Sequence, residues 1–204
     1  MTVSLDVQKL AQLRKEAMDC RHCQKLLPHS AKPIFIWPYK PSIILISQAP
    51  GRLAHDSGLA WNDASGERLR KWLGVDRTSF YQSGKFAVLP MSFCFPGYKN
   101  GADAPPLKPC APMWHPRFLN TLNSQSRSST PFLIIIGQYA QKHYLSDYKR
   151  LTDAIEDFAK LMPDHVALPH PSGRNNRWFS KHPWFESRLV PALQKQVASI
   201  LNRA

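Results

Sequence analysis

Four short apolar runs set the fold of this chain. They lie at residues 42–46, 86–89, 132–136 and 165–168, and apart from the opening Ser42 and His165 each is apolar throughout instead of alternating with polar residues. Strands buried on both faces read this way, and such strands belong to parallel sheets. Helical patterns surround them at 5–18, 66–73, 140–145, 151–161 and 185–201. Strands alternating with helices predict an α/β fold, a three-layer αβα arrangement around a central four-stranded parallel sheet. The 204 residues read as a single domain, 1–204, without internal repeats. The polar stretch 123–130 reads as a surface loop, and 95–109, rich in Pro and Gly, as an irregular one.

Each apolar run passes straight into an unusual loop: Ser47-Gln-Ala-Pro-Gly51, Pro90-Met-Ser-Phe-Cys94, Gly137-Gln138 and His170-Pro-Ser-Gly-Arg-Asn175. In a parallel sheet these loops share the carboxyl edge, where ligands bind. Gln48, Ala49, Pro50, Gly51, Ser92 and Ser172 are therefore candidates for contact with a substrate.

Four cysteines form a second pattern. Cys20 and Cys23 are a C-x-x-C pair, and Cys94 and Cys110 follow with fifteen residues between them. Four thiolates complete a zinc site or an iron–sulfur site, whereas unrelated cysteines are small buried hydrophobes. The stretch after Met1 lacks the apolar core of a signal peptide, and no apolar run approaches the length of a membrane span. A cytoplasmic location is expected, and it disfavours disulfides. Charge adds a partner. The 27 Lys and Arg against 14 Asp and Glu give a net charge of +13. That surplus fits a polyanion binder, because neutralised phosphates release counterions. Nucleic acid is the expected partner, not a membrane.

At the strand-end loops the sequence resembles the uracil-DNA glycosylase superfamily, closest to its iron–sulfur (family 4-like) branch. Ser47-Gln-Ala-Pro-Gly51 is similar to that branch's G-E-A-P-G, and Gly58-Leu-Ala-Trp61 with Ala64-Ser-Gly66 to the segment after it. Ile134-Ile-Ile-Gly137-Gln-Tyr-Ala140 is similar to its L-G-x-x-A turn, and His170-Pro-Ser172 to its H-P-S. The cysteine order also matches. Three positions depart. Gln48 stands where the branch has Glu, Pro90 stands where it has the Asn that reads the uracil edge, and Asp63-Ala-Ser-Gly66 looks like the D-x-S-G of a family 5-like branch.

The resemblance implies a DNA glycosylase of base excision repair. It would hydrolyse the N-glycosidic bond of uracil, or a related damaged base, flipped out of single- or double-stranded DNA. His170, Asp63 and Gln48 would be catalytic. His170 would donate to the departing base, Trp61 would stack on it, and Asp63 would position water, with Asp56 or no acid as alternatives. Helix capping is a rival role for Asp63. Arg174, Asn175, Arg177, Lys99 and Lys108 would contact DNA. Cys20, Cys23, Cys94 and Cys110 would hold a structural four-iron four-sulfur cluster, with zinc as the alternative. A monomer is expected. Two further readings stay open: a catalytically weak or inactive damage-binding module with a structural metal site, and a glycosylase for another nucleobase.

Overall fold

The structure is a computed structural model that describes residues 5–124 and 130–202. In it the four apolar runs become one parallel sheet. Helix α1 (Leu5–Met18) and a 3-10 turn at Gln24–Leu26 precede the first strand, β1 (Ile43–Ser47). Helices α2 (Arg52–Ser57), α3 (Ala64–Leu73) and α4 (Arg77–Gln82) lead to β2 (Phe86–Pro90). A small hairpin, β3 (Tyr98–Lys99) and β4 (Ala102–Asp103), comes next, then α5 (Cys110–Ser124) and β5 (Phe132–Ile136). Helices α6 (Gly137–Tyr144), α7 (Leu151–Glu156) and α8 (Phe158–Leu161) lead to β6 (His165–Leu168). A 3-10 turn at Gly173–Asn175, α9 (Asn176–Lys181), a π turn at Phe185–Leu189 and α10 (Val190–Leu201) complete the chain.

The sheet order is β2-β1-β5-β6, with every pairing parallel. Ile43 sits opposite both Phe86 and Phe132, so the central strands start in register. Ile43, Ile44, Leu45 and Ile46 are fully buried. Each contributes about 1.5–3 kcal/mol by leaving water, which is why the runs are apolar throughout. Right-handed crossovers put α2–α4 on one face of the sheet and α5–α8 on the other. Helix α10 packs on α3, α1 packs on α5, and α6 packs on β5. The result is the expected three layers. Chain order reverses at β1, between its neighbours β2 and β5, and that reversal opens a crevice at the carboxyl edge.

Strand boundaries fall within one residue of the apolar runs, and α1 matches its pattern. The helices diverge more. The 151–161 pattern is broken at Asp157 into α7 and α8, and 185–201 opens with a π turn. Helix α5 has no counterpart among the sequence patterns, because Pro112 and Pro116 hide it. Pro112 lies in the first turn, where a missing N–H costs little. Pro116 lies inside the helix and is tolerated because Trp114, His115 and Phe118 bury the same segment. The 95–109 stretch is less irregular than expected, since it contains the β3–β4 hairpin. The 123–130 loop lies mostly outside the described residues.

One buried polar group ties the layers together. His115 of α5 is hydrogen-bonded to the Pro90 carbonyl through Nε2 (2.9 Å) and to the Tyr144 hydroxyl through Nδ1 (2.6 Å). Nε2 donates to the carbonyl, so Nδ1 accepts from the tyrosine. Burial pushes His115 down to about 4 and Tyr144 up to about 12. Both are neutral at physiological pH, and they fix the end of β2.

Candidate active site

Two strand-end loops are stitched together just beyond the sheet. Met91 N donates to Ser47 O (2.8 Å) and Ser92 N to Gln48 O (3.1 Å). The chain then turns through Pro50 and Gly51 into α2. Beyond these loops lies a cleft of about 610 Å³. Gln48, Ala49, Pro50, Gly51, Trp61, Asp63, His170, Ser172, Arg174 and Asn175 line it, and all ten belong to the expected site.

Trp61 is held in a backbone conformation rare for a bulky residue, with φ at 59°. Its surroundings compensate for the strain. Arg70 Nη1 donates to the Trp61 carbonyl (3.0 Å), and Tyr81 Oη donates to Ala60 O (2.7 Å). The Trp61 carbonyl lies so close to α3 that a Cβ on Gly66 would fall 1.8 Å from its oxygen. The indole is thereby turned toward His170, ring to ring at 5.5 Å and tilted by 32°.

His170 follows β6 between two buried prolines, Pro169 and Pro171. Ser172 N donates to its Nδ1 (3.3 Å), and Asn175 Nδ2 donates to its carbonyl (2.7 Å). Burial lowers the imidazole pKa, and the Asp63 carboxylate opposes that shift. With Nδ1 accepting, the neutral ring carries its proton on Nε2, which has no protein partner among the described residues. Gly137 opens α6 at φ 81°, and a Cβ there would lie 3.7 Å from His170 Cβ.

The structure sorts the remaining candidates. Asp63 Oδ1 accepts from Gly66 N (2.7 Å), so the carboxylate caps α3 at the edge of the cleft. Asp56 is not among the cleft residues, and its carboxylate pairs with Arg52 Nε at 2.8 Å on α2. Ser92 does not line the cleft either. It is 1 % exposed, its hydroxyl donates to Cys94 O (3.2 Å), and it lines the cavity of the cysteines, while its backbone N–H donates to Gln48 O. Arg174 Nη2 donates to Gly101 O (2.6 Å), joining the loop after His170 to the β3–β4 hairpin. Asn175 is held by its bond to His170. Arg177, Lys99 and Lys108 are exposed and lie outside the cleft lining.

Sequence reading missed Tyr139, Trp178 and Asp103, which also line the cleft, while Gln138 enters it from a strand-end loop the sequence had marked. Asp103 had one available signal: it is the sole acidic residue between Cys94 and Cys110. It is exposed at the rim of the cleft, where partial desolvation raises its carboxyl pKa; Arg174 opposes that shift and Asp63 adds to it.

The four cysteines, separated in sequence, line one small cavity with Ser92, Phe93, Leu107 and Trp114. All four are free thiols. Burial pushes Cys94 up to about 11 and Cys110 up to about 12. Phe93 N donates to Cys110 Sγ (3.3 Å). Among the described residues, no three His, Cys, Asp or Glu side chains gather closely enough to hold a single metal ion. No helix among them is long and apolar enough to cross a membrane.

In comparison with known families, a model described as the uracil DNA glycosylase superfamily matches residues 34–194. The match takes in all four strands of the sheet and every loop of the cleft. It begins after Cys20 and Cys23.

Proposed function

The chain belongs to the uracil DNA glycosylase superfamily, and from that premise we propose that it hydrolyses the N-glycosidic bond of uracil or a related deaminated or oxidised base in DNA. One observation carries the reading. A neutral imidazole with its proton on Nε2 packs beside an indole, and both rings line a cleft at the carboxyl edge of the sheet. A base extruded from the duplex enters such a pocket and stacks on an aromatic ring. Breaking the C1′–N bond leaves negative charge on the base, and the His170 Nε2–H meets that charge as it develops. A donor placed in advance costs no reorganisation at the moment of reaction. Its strength in the transition state exceeds that in the ground state, which is what accelerates the step. The ring needs no proton transfer for this, so its lowered pKa suits it.

The +13 charge supplies the sequence-independent attraction to phosphates. Exposed Arg177, Lys99 and Lys108 lie outside the cleft, where a duplex backbone would run. A labelled oligonucleotide series carrying uracil, hypoxanthine, xanthine or an oxidised pyrimidine, treated with protein and then alkali, tests the reading. Strand cleavage at the modified position is expected for at least one base. No cleavage with any of them, combined with retained binding to the damaged strand, would instead support a damage-binding module, a reading that Gln48 and Pro90 favour.

Cys20, Cys23, Cys94 and Cys110 are read as the ligands of a four-iron four-sulfur cluster, with zinc as the alternative. Around one zinc ion, Zn–S bonds of about 2.3 Å would bring the sulfurs to roughly 3.8 Å of one another. A cluster bonds each thiolate to a different iron and holds them farther apart. The four thiols share a cavity, and the Phe93 N–H reaches the Cys110 sulfur, the kind of hydrogen bond that tunes a cluster. Such a group would supply a structural clamp on the 95–109 segment. Anaerobically purified protein is expected to carry about four irons and four sulfides per chain and to absorb in the visible. Stoichiometric zinc without iron would refute the cluster.

A further inference from the structure

The reaction needs a water molecule delivered to C1′, and Gln48 stands where the iron–sulfur branch that the sequence resembles has the Glu for that task. Three other carboxylates lie near enough to consider, and two are committed elsewhere. Asp63 Oδ1 caps α3, and Asp56 pairs with Arg52 outside the cleft. The third, Asp103, lines the cleft and has no hydrogen-bond or ion-pair partner among the described residues.

We propose that Asp103 is the carboxylate that holds the attacking water and accepts its proton. The assignment rests on the glycosylase reading above. Its geometry is built by three features. The β3–β4 pairing sets Asp103 opposite Tyr98, and Ala104 N closes the hairpin on Gly97 O (2.8 Å). Arg174 Nη2 binds Gly101 O (2.6 Å), so the hairpin tip is fastened to the loop that follows His170. Asp103 Oδ2 stands only 3.3 Å from where a Cβ on Gly51 would sit. A glycine at that point leaves the carboxylate room to lie against the loop after β1. The proton donor to the base and the unpartnered carboxylate thus sit on two segments that are bonded to each other.

The step balances. The C1′–N bond breaks and its electron pair leaves with the base, stabilised by His170. Water oxygen bonds to C1′, and one of its protons passes to Asp103. The base anion then takes a proton from solvent, and Asp103 returns its own to solvent. The carboxylate charge also favours the oxocarbenium character of the sugar as the bond opens. Asp103 is exposed at the cleft rim; the charged groups that reach it are Arg174, which lowers its pKa, and Asp63, which raises it, with partial desolvation against the cleft the largest influence and upward. The working form is the anion. Activity is therefore present above the raised pKa and lost as pH falls through it.

Single-turnover excision from an oligonucleotide carrying the preferred base, followed from neutral to acid pH, tests the assignment. Asp103→Asn is expected to slow excision about 10²-fold or more at neutral pH and to abolish the acid limb seen in the wild type. Binding to a duplex with a stable abasic-site analogue should be equal or tighter, because a negative charge has gone, and this separates lost chemistry from lost folding. An acid limb that survives Asp103→Asn and disappears in Asp63→Asn would transfer the role to Asp63. An active wild type with an equally active Asp103→Asn overturns the assignment alone. A wild type that excises no modified base overturns the glycosylase reading and the assignment together.

Discussion

His170→Ala is expected to slow single-turnover base excision about 10²–10³-fold, a loss of roughly 3–4 kcal/mol in transition-state stabilisation. The neutral ring holds one proton, on Nε2, and the protein leaves that proton unengaged while committing the other nitrogen to Ser172 N–H. Buried Pro169 and Pro171 restrict the backbone on each side. The donor is therefore aimed before the substrate arrives. Substitution removes it and frees one N–H at a loop end, a small cost to folding. A residue serving only to pack the loop would show the opposite pattern: lower stability, and activity falling only with the folded fraction. Rates measured on protein shown by circular dichroism to be folded decide between the two. A folded variant within a few-fold of the wild type would falsify the role given to His170.

Gly66→Ala is expected to damage stability and activity together, although residue 66 itself touches no substrate. The added Cβ would lie 1.8 Å from the Trp61 carbonyl oxygen and 2.6 Å from its carbon, both backbone atoms. Neither can swing aside as a side chain would. Overpacking of this kind costs typically 1–3 kcal/mol and more where backbone must move. The segment that must yield is already strained at Trp61, and its carbonyl is the acceptor for buried Arg70. Displacing it breaks that bond and turns the indole away from His170. A thermal melt should show a drop of several degrees or more. Excision measured well below the new midpoint should remain slow. A native melting curve would show that the close approach at Gly66 does not constrain the protein.

The sheet was legible because its physics is local: a strand buried on both faces must be apolar at every position, and residues 43–46 and 134–136 could hardly be anything else. Helix α5 was not legible, because its evidence is tertiary; Trp114 and Phe118 reward a helix that Pro116 argues against. The site divides in the same way. His170 and Trp61 sit in short motifs at strand or helix ends, where sequence neighbours fix position. Asp63 carried both of its readings in the sequence, and the hydrogen bond to Gly66 N makes one of them concrete. Ser92 was expected in the cleft as a member of a strand-end loop, yet the chain bends through 91–94, and Ser92 lines the cysteine cavity together with Phe93 and Cys94. Asp103 reaches the cleft only once a hairpin closes and Arg174 grips it, contacts spanning 73 residues of sequence. No local pattern records that.

The segment between Cys94 and Cys110 behaves as a cassette. Both of its ends are held at the cysteine cavity, where Phe93 N meets Cys110 Sγ, while its middle is carried out to the mouth of the cleft. Little of the sheet depends on what lies between those ends, since the hairpin pairs with itself. The cassette can thus exchange its contents, in length or in side chains, at small cost to the folded core. A single fold can in this way acquire a different reactive group at the rim of an unchanged pocket, and specificity can drift there while the histidine and the indole stay fixed.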